Sequence, residues 1–374
     1  MKYITPMILT IFIGLFFFIN GQPHQEIHLP RPTGSYSVGT KAIEVKDPSR
    51  RMLRDSSPRR WMVQAFYPSE KHEALYPYMP GTIHNGKVEG VQVLTHSKPN
   101  ADPIRSRAFP VIIFVPGLGE ERQKYTILCE ELASQGYVVL SIDQPYVSNF
   151  VKFPDGKAIV LTIQDAWNVP KYRDYRYHFY DEAMAAAIQD IEYMLVKMDK
   201  LDSKLLGGIL DNNNIILMGH SFGGNVAHTL GVQYKLVRAI VDIDSKITDR
   251  KIYGKLGVPE NPAGKPILFI RGMMQYQEDV GDKLTKITNA TIWSPNVQHS
   301  AFSDQAYLSA KIPGFGYGSF HEAYNWLFKQ GPLWNSIDTN LGGKDVDAWF
   351  SEYRKHIVSW LGLHAPPQKQ KPRT

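Results

Sequence analysis

With 374 residues, of which 43% are apolar and 12% aromatic, the chain can bury one large core. Its net charge of +6 is dispersed. Clusters occur at Arg50, Arg51, Arg54, Arg59 and Arg60 and in the Lys369–Arg373 tail, without a basic helix or an aromatic-interleaved groove. That pattern excludes a nucleic-acid binder and reads as solvated surface, with peripheral contact to an anionic lipid surface as the alternative.

Lys2 precedes an apolar run from Met7 to Ile19, followed by Asn20-Gly21-Gln22. This reads as a secretory signal over residues 1–21, an uncleaved membrane anchor being the alternative. Cys129 is the only cysteine, so no internal disulfide forms, and its place on a helical pattern marks a small buried hydrophobe. An export signal without disulfides suits a secreted or periplasmic protein. Residues 22–35, rich in proline, histidine and polar groups, read as a flexible lead-in. Within them His24-Gln-Glu-Ile-His28 lacks the glutamate placement of a zinc helix, and no metal or other cofactor is expected anywhere in the chain.

From Tyr36 strands and helices alternate. Trp61–Tyr67, Pro110–Val115, Tyr137–Ile142, Ile215–Met218, Ala239–Ile243 and Ile267–Ile270 read as strands, the later ones apolar enough to be buried on both faces. Tyr125–Ser134, stopped by Gly136, Tyr180–Met198 and Asp345–Leu361 have helical spacing. The expected fold is α/β, a mostly parallel central sheet covered by helices on both faces over residues 36–364, with a polar basic tail from 365 to 374. Two aromatic-rich insertions, Tyr146–Phe179 and Phe302–Trp334, follow strand ends on the carboxyl edge, where such sheets bind ligands.

Chemistry enters at Gly219-His220-Ser221-Phe222-Gly223, a G-x-S-x-G pentad after an apolar strand and before a helical pattern. That context is what a nucleophile elbow needs: a strained turn lifts the serine clear of the sheet, and a side chain at either glycine would strike backbone. A serine hydroxyl is a poor nucleophile until a neutral imidazole takes its proton, and that imidazole needs a carboxylate to fix its tautomer. In this arrangement the acid and then the histidine follow the serine. Acid candidates are Asp242, Asp244, Glu278 and Asp279; of His299, His321, His356 and His364, His299 falls in a loop after the apolar Ala290–Trp293 segment. Oxyanion donors are expected at the backbone N–H groups of Phe222 and of Leu118, in Pro116-Gly117-Leu118-Gly119 after a buried strand.

These residues resemble the platelet-activating-factor acetylhydrolase family, plasma and intracellular type II, within the α/β-hydrolase superfamily. The resemblance runs through Gly34-Ser-Tyr-Ser-Val-Gly39, Phe66-Tyr-Pro-Ser69, Gly117-Leu118-Gly119, Gly219–Gly224, His299-Ser-Ala-Phe-Ser-Asp304 and Trp360-Leu-Gly-Leu363. It implies a metal-independent serine esterase with Ser221 as nucleophile, Asp244 as acid, His299 as base, and Leu118 and Phe222 as oxyanion donors. Position agrees for the acid, because the later aspartate clears the carboxyl edge of its strand. The chain departs from the family at Pro116, where a histidine is usual, and in the polar Ser-Lys-Ile-Thr stretch after Asp244. The implied substrate is a small-molecule or lipid ester with a short or truncated acyl group. The alternatives are a carbohydrate- or polyester-directed esterase and a catalytically silent binding module.

Overall fold

The computed structural model describes residues 25–78, 91–161, 172–245, 261–273, 284–312 and 341–367. The expected signal at 1–21, Glu278, Asp279, His321 and most of the second aromatic insertion lie outside them.

In chain order the strands are β1 (Gln25–His28), β2 (Ser37–Arg51), β3 (Pro58–Ser69), β4 (Tyr76–Pro77), β5 (Val91–Thr95), β6 (Ser97–Pro99) and β7 (Phe109–Val115). Helix α1 (Thr126–Ser134) leads to β8 (Val138–Asp143), the short hairpin β9 (Phe150–Lys152) and β10 (Ala158–Val160), and the long helix α2 (Tyr172–Leu205). Then come β11 (Leu210–His220), α3 (Phe222–Gln233), β12 (Val237–Ile243), β13 (Ile267–Ile270) and β14 (Ala290–Trp293). A 3-10 turn at His299–Phe302, α4 (Asp304–Lys311) and α5 (Val346–His364) close the described chain.

Among the described residues, nine strands form the main sheet in the order β14-β13-β12-β11-β7-β8-β3-β2-β6. The six strands from β14 to β8 run parallel; β3 and β2 form an antiparallel hairpin against β8. Side chains alternate across the pleat, so one strand feeds two cores. Ile112, Phe114, Ile216, Met218 and Val241 join the layer with α1 and α5. Val111, Ile113, Ile215, Leu217 and Ile240 join the layer with α2 and α3. Both faces being covered explains why these strands read as continuous apolar runs rather than alternating ones. Among the described residues no helix is long and apolar enough to cross a membrane.

Observed strands overrun the apolar runs because pairing continues into polar residues: β3 extends to Pro58 and Ser69, and β11 begins at Leu210. One expectation is corrected. Residues 25–35 are not a free lead-in: β1 pairs in parallel with β5, Ile27 and Leu29 are buried, and the Thr33 hydroxyl and amide donate to Glu131 on α1 at 2.5 and 3.0 Å. Composition made this stretch look unstructured; two apolar side chains and a long-range carboxylate dock it. Cys129 is fully buried, which pushes its thiol well above the ordinary range, as befits a packing residue.

Candidate active site

The turn from β11 into α3 places Ser221 at φ 56° and ψ −117°, a strained backbone for a residue with a side chain. Glycine is required on both sides. A Cβ at Gly219 would lie 2.2 Å from the Gly223 carbonyl oxygen, and one at Gly223 would lie 1.8 Å from that of Val115. The second contact also seats the start of α3 against the end of β7 and Pro116, at the start of the loop that carries Leu118. No described residue accepts from the backbone N–H of Leu118 or Phe222. The loop is tied elsewhere, with Gly119 N–H donating to the Val147 carbonyl at 2.9 Å.

Asp242 and Asp244 part company at the end of β12. Asp242 stays within the strand and is enclosed beside α3. It accepts from Arg271 Nη1 at 2.9 Å, from the Ser245 hydroxyl at 2.7 Å and from the Ser245 amide at 3.2 Å. Asp244 has a φ of 51°, which turns it out of the strand path. Its amide donates to the Ile270 carbonyl at 2.7 Å, and its carboxylate accepts from Gly272 N–H at 2.7 Å and from His299 Nδ1 at 2.5 Å. Asp244 is fully buried and the His299 side chain is 22% exposed. An imidazole held on Nδ1 by a buried carboxylate, with an edge open to solvent, can accept a proton on Nε2 and keep the resulting charge paired.

The turn carrying His299 is anchored from below. Asp304, at the start of α4, accepts from the amides of Thr126 and Ile127 at 2.6 and 3.1 Å and from the Tyr78 hydroxyl at 3.1 Å. Burial pushes its carboxyl up to about 8, opposed by these three donors. In the sequence Asp304 only ends the His299-Ser-Ala-Phe-Ser-Asp304 pattern; its helix-capping partners lie 177 and 178 positions away, beyond any local signal. His220 fills one of the two open positions of the pentad. Its ring sits 4.5 Å from that of His299, and burial, followed by the nearby His299, holds it well below the ordinary imidazole range.

The other candidates go elsewhere. His356 stacks on Trp293 at 4.0 Å and His364 packs on Trp360 at 4.5 Å, both structural contacts on α5. Phe153 from the first aromatic insertion is buried with Met52, Met62, Val151 and Ile159 under the β9–β10 hairpin, so it packs the insertion. His220, Asp244 and His299 are close enough to share a cation. His220, Asp244 and His299 already spend ring nitrogens or carboxylate oxygens on hydrogen bonds to Tyr125, Gly272, the His299 carbonyl and one another, which a metal would have to break.

The sheet order, the elbow and the acid loop define an α/β-hydrolase fold. The ferulic acid esterase of Streptomyces cinnamoneus shares it, with a TM-score of 0.66 at 22% identity over 94% of this chain and 96% of that one. Within that fold the chain resembles the platelet-activating-factor acetylhydrolases. The family model for platelet-activating factor acetylhydrolase, isoform II, matches residues 86–152. A probable 1-alkyl-2-acetylglycerophosphocholine esterase of Arthroderma benhamiae is 24% identical over 262 residues, 63% of each chain. The platelet-activating factor acetylhydrolase of Canis lupus familiaris is 22% identical over 340 residues, 78% of this chain and 71% of that one. The stretch matched by the family model holds the Leu118 loop and α1; Ser221, Asp244 and His299 lie beyond it.

Proposed function

We propose that the protein is a serine esterase that hydrolyses short or truncated acyl esters, in the manner of the acetylhydrolases it resembles. The observation that carries this reading is the 2.5 Å bond from His299 Nδ1 to a buried Asp244, with Ser221 on a strained elbow directly after His220, whose ring lies 4.5 Å from that of His299. In this mechanism Ser221 attacks the ester carbonyl while His299 Nε2 takes its proton, and Asp244 holds the tautomer that leaves Nε2 bare. The N–H groups of Leu118 and Phe222 receive the developing oxyanion, each such donor being typically worth about 3 kcal/mol. The imidazolium then protonates the departing alcohol, and water, activated by the same imidazole, hydrolyses the acyl-enzyme. No metal or other cofactor has a step to perform.

Location belongs to the same proposal: the apolar run at Met7–Ile19 supports export, with the enzyme meeting its ester outside the cytoplasm. The test is labelling by a fluorophosphonate, followed by turnover on esters of graded acyl length that include an acetylated phospholipid. Labelling confined to Ser221, with acyl groups of about two to six carbons preferred, is the expected result. An unlabelled but folded protein would mark a silent hydrolase fold. Faster turnover of carbohydrate or polyester esters, or of long-chain triglycerides, would overturn the substrate class while leaving the chemistry.

A further inference from the structure

Between the oxyanion loop and the base lies a chain of hydrogen bonds that the proposed mechanism does not use. Gly117 N–H donates to the Tyr125 hydroxyl oxygen at 3.3 Å. Tyr125 Oη lies 2.8 Å from His220 Nδ1, and His220 Nε2 lies 3.1 Å from the backbone carbonyl of His299. The direction of each bond can be worked out. A carbonyl only accepts, so His220 Nε2 carries the hydrogen. A buried ring held well below the ordinary imidazole range is neutral, so Nδ1 is bare and the Tyr125 hydroxyl donates to it. Every polar atom of the pair then has its partner, which a buried tyrosine and histidine demand.

The ends of this chain matter more than its middle. Gly117 immediately precedes Leu118, whose N–H points at the developing oxyanion in the proposed mechanism. The His299 carbonyl belongs to the base itself. His220 immediately precedes Ser221. The loop also rests directly on the pair, since a Cβ at Gly117 would come within 3.4 Å of both Tyr125 Oη and His220 Nδ1.

We propose that Tyr125 and His220 form a positioning relay, holding the oxyanion loop and the backbone of His299 in fixed register on either side of Ser221. The proposal rests on the esterase reading above. The relay touches no substrate; it acts through Leu118 and His299. Its loss should therefore weaken stabilisation of the transition state rather than ground-state binding, and lower kcat with little change in KM. A merely structural pair would instead lower the melting temperature and leave kcat per folded molecule intact.

Three substitutions divide the relay. Tyr125→Phe removes the hydroxyl and strands both Gly117 N–H and His220 Nδ1. His220→Asn places an amide oxygen the same number of bonds from Cα as Nδ1, so it can accept from Tyr125 but cannot reach the His299 carbonyl. His220→Gln places an amide N–H at the distance of Nε2, so it can keep the His299 bond and lose the Tyr125 one. With an activated acetyl ester, Tyr125→Phe should lower kcat by roughly ten- to hundredfold with KM within about twofold, a fraction of the loss expected from deleting one oxyanion donor. His220→Asn and His220→Gln should each retain part of the activity, and each should exceed His220→Ala. Wild-type kcat in folded Tyr125→Phe, or a rise in KM alone, overturns the relay. Should the His220 variants not fold, Tyr125→Phe decides alone. Wild-type protein that neither labels with fluorophosphonate nor turns over the ester overturns the esterase reading itself, a result distinct from an active wild type with indifferent relay variants.

Discussion

At the carboxyl edge of the sheet, a buried Asp244 on a left-handed backbone holds a partly exposed imidazole. Along α1, the equally buried Glu130 and Glu131 hold only neighbouring chain. Glu130 accepts from the amides of Ser97 and His96 at 2.7 and 3.0 Å, and Glu131 accepts from Thr33 and from Arg354 Nη1 at 3.0 Å. Both regions bury charge, so burial alone does not mark a site. What separates them is strain and access. Ser221 and Asp244 sit at positive φ, and Asp244 bonds a histidine with an open edge, whereas Glu130 and Glu131 lie in regular helix with the named bonds spent on holding Thr33, His96, Ser97 and Arg354. Strained backbone beside accessible titratable groups is the combination associated with function.

The sharpest way to break this comparison is to remove the elbow hydroxyl. Ser221→Ala should cut kcat by roughly 10⁶ while the melting curve stays at the wild-type position, because the members of the proposed triad would act as a unit. Residual turnover near wild type in purified Ser221→Ala would remove the functional meaning from the edge. Asp244→Asn comes next, with kcat lowered on the order of 10⁴ through loss of the tautomer that leaves Nε2 bare.

The pH dependence of kcat/KM is a milder test of the same edge. With a neutral imidazole required, the rate should fall about tenfold per pH unit on the acid side. An acid limb that stays flat while chemistry limits the rate would argue against His299 as base.

Asp242→Asn sharpens the contrast within two residues of sequence. It strands Arg271, whose side chain is almost fully buried and bonded to Asp242, and should cost on the order of 3 kcal/mol of stability. Its kcat per folded molecule should far exceed that of Asp244→Asn. The reverse result, a dead Asp242→Asn and an active Asp244→Asn, would mean that the carboxylates have been assigned to the wrong roles.

How much of this was legible beforehand follows from the range of each interaction. The elbow could be read because its requirement is local and steric: two glycines, a serine, a strand before and a helix after. The parallel strands could be read because burial on both faces leaves an unbroken apolar run. The choice between Asp242 and Asp244 could not be made from alternation, since residues two apart share a face in a continuing strand. The backbone turn at Asp244 separates them, and φ is not written in residue type. The Tyr125–His220 and Asp304–Thr126 bonds join residues 95 and 178 positions apart, and no periodicity announces such contacts. The docking of residues 25–35 was missed for the same reason: Glu131, which holds Thr33, is 98 positions away.

The α1 side of the comparison can be tested by its own pH dependence. Burial pushes the Glu130 carboxyl up to about 7 from its ordinary value of 4.5, against the pull of the amides and hydroxyls that donate to it. Between those two values the folded protein holds a proton that the unfolded chain has released. Stability is therefore fullest below 4.5 and declines as pH rises towards 7, levelling off once the folded carboxyl is also ionised. At about 1.4 kcal/mol per unit, the decline due to this group is on the order of 3 kcal/mol. Glu130→Gln keeps an oxygen for the Ser97 and His96 amides but cannot ionise. Its stability relative to wild type should therefore rise by that amount between pH 4.5 and 7 and stay constant above 8. Denaturant midpoints of both proteins across this range give the difference directly, and other titrating groups cancel in the subtraction. Because Glu130 touches no proposed catalytic group, kcat of Glu130→Gln on a short-chain ester should match wild type throughout. A stability difference independent of pH would show that Glu130 titrates alike in the folded and unfolded chain, its amides offsetting burial. A change in kcat would show that α1 reaches the reacting centre, and the line drawn between the two regions would have to move.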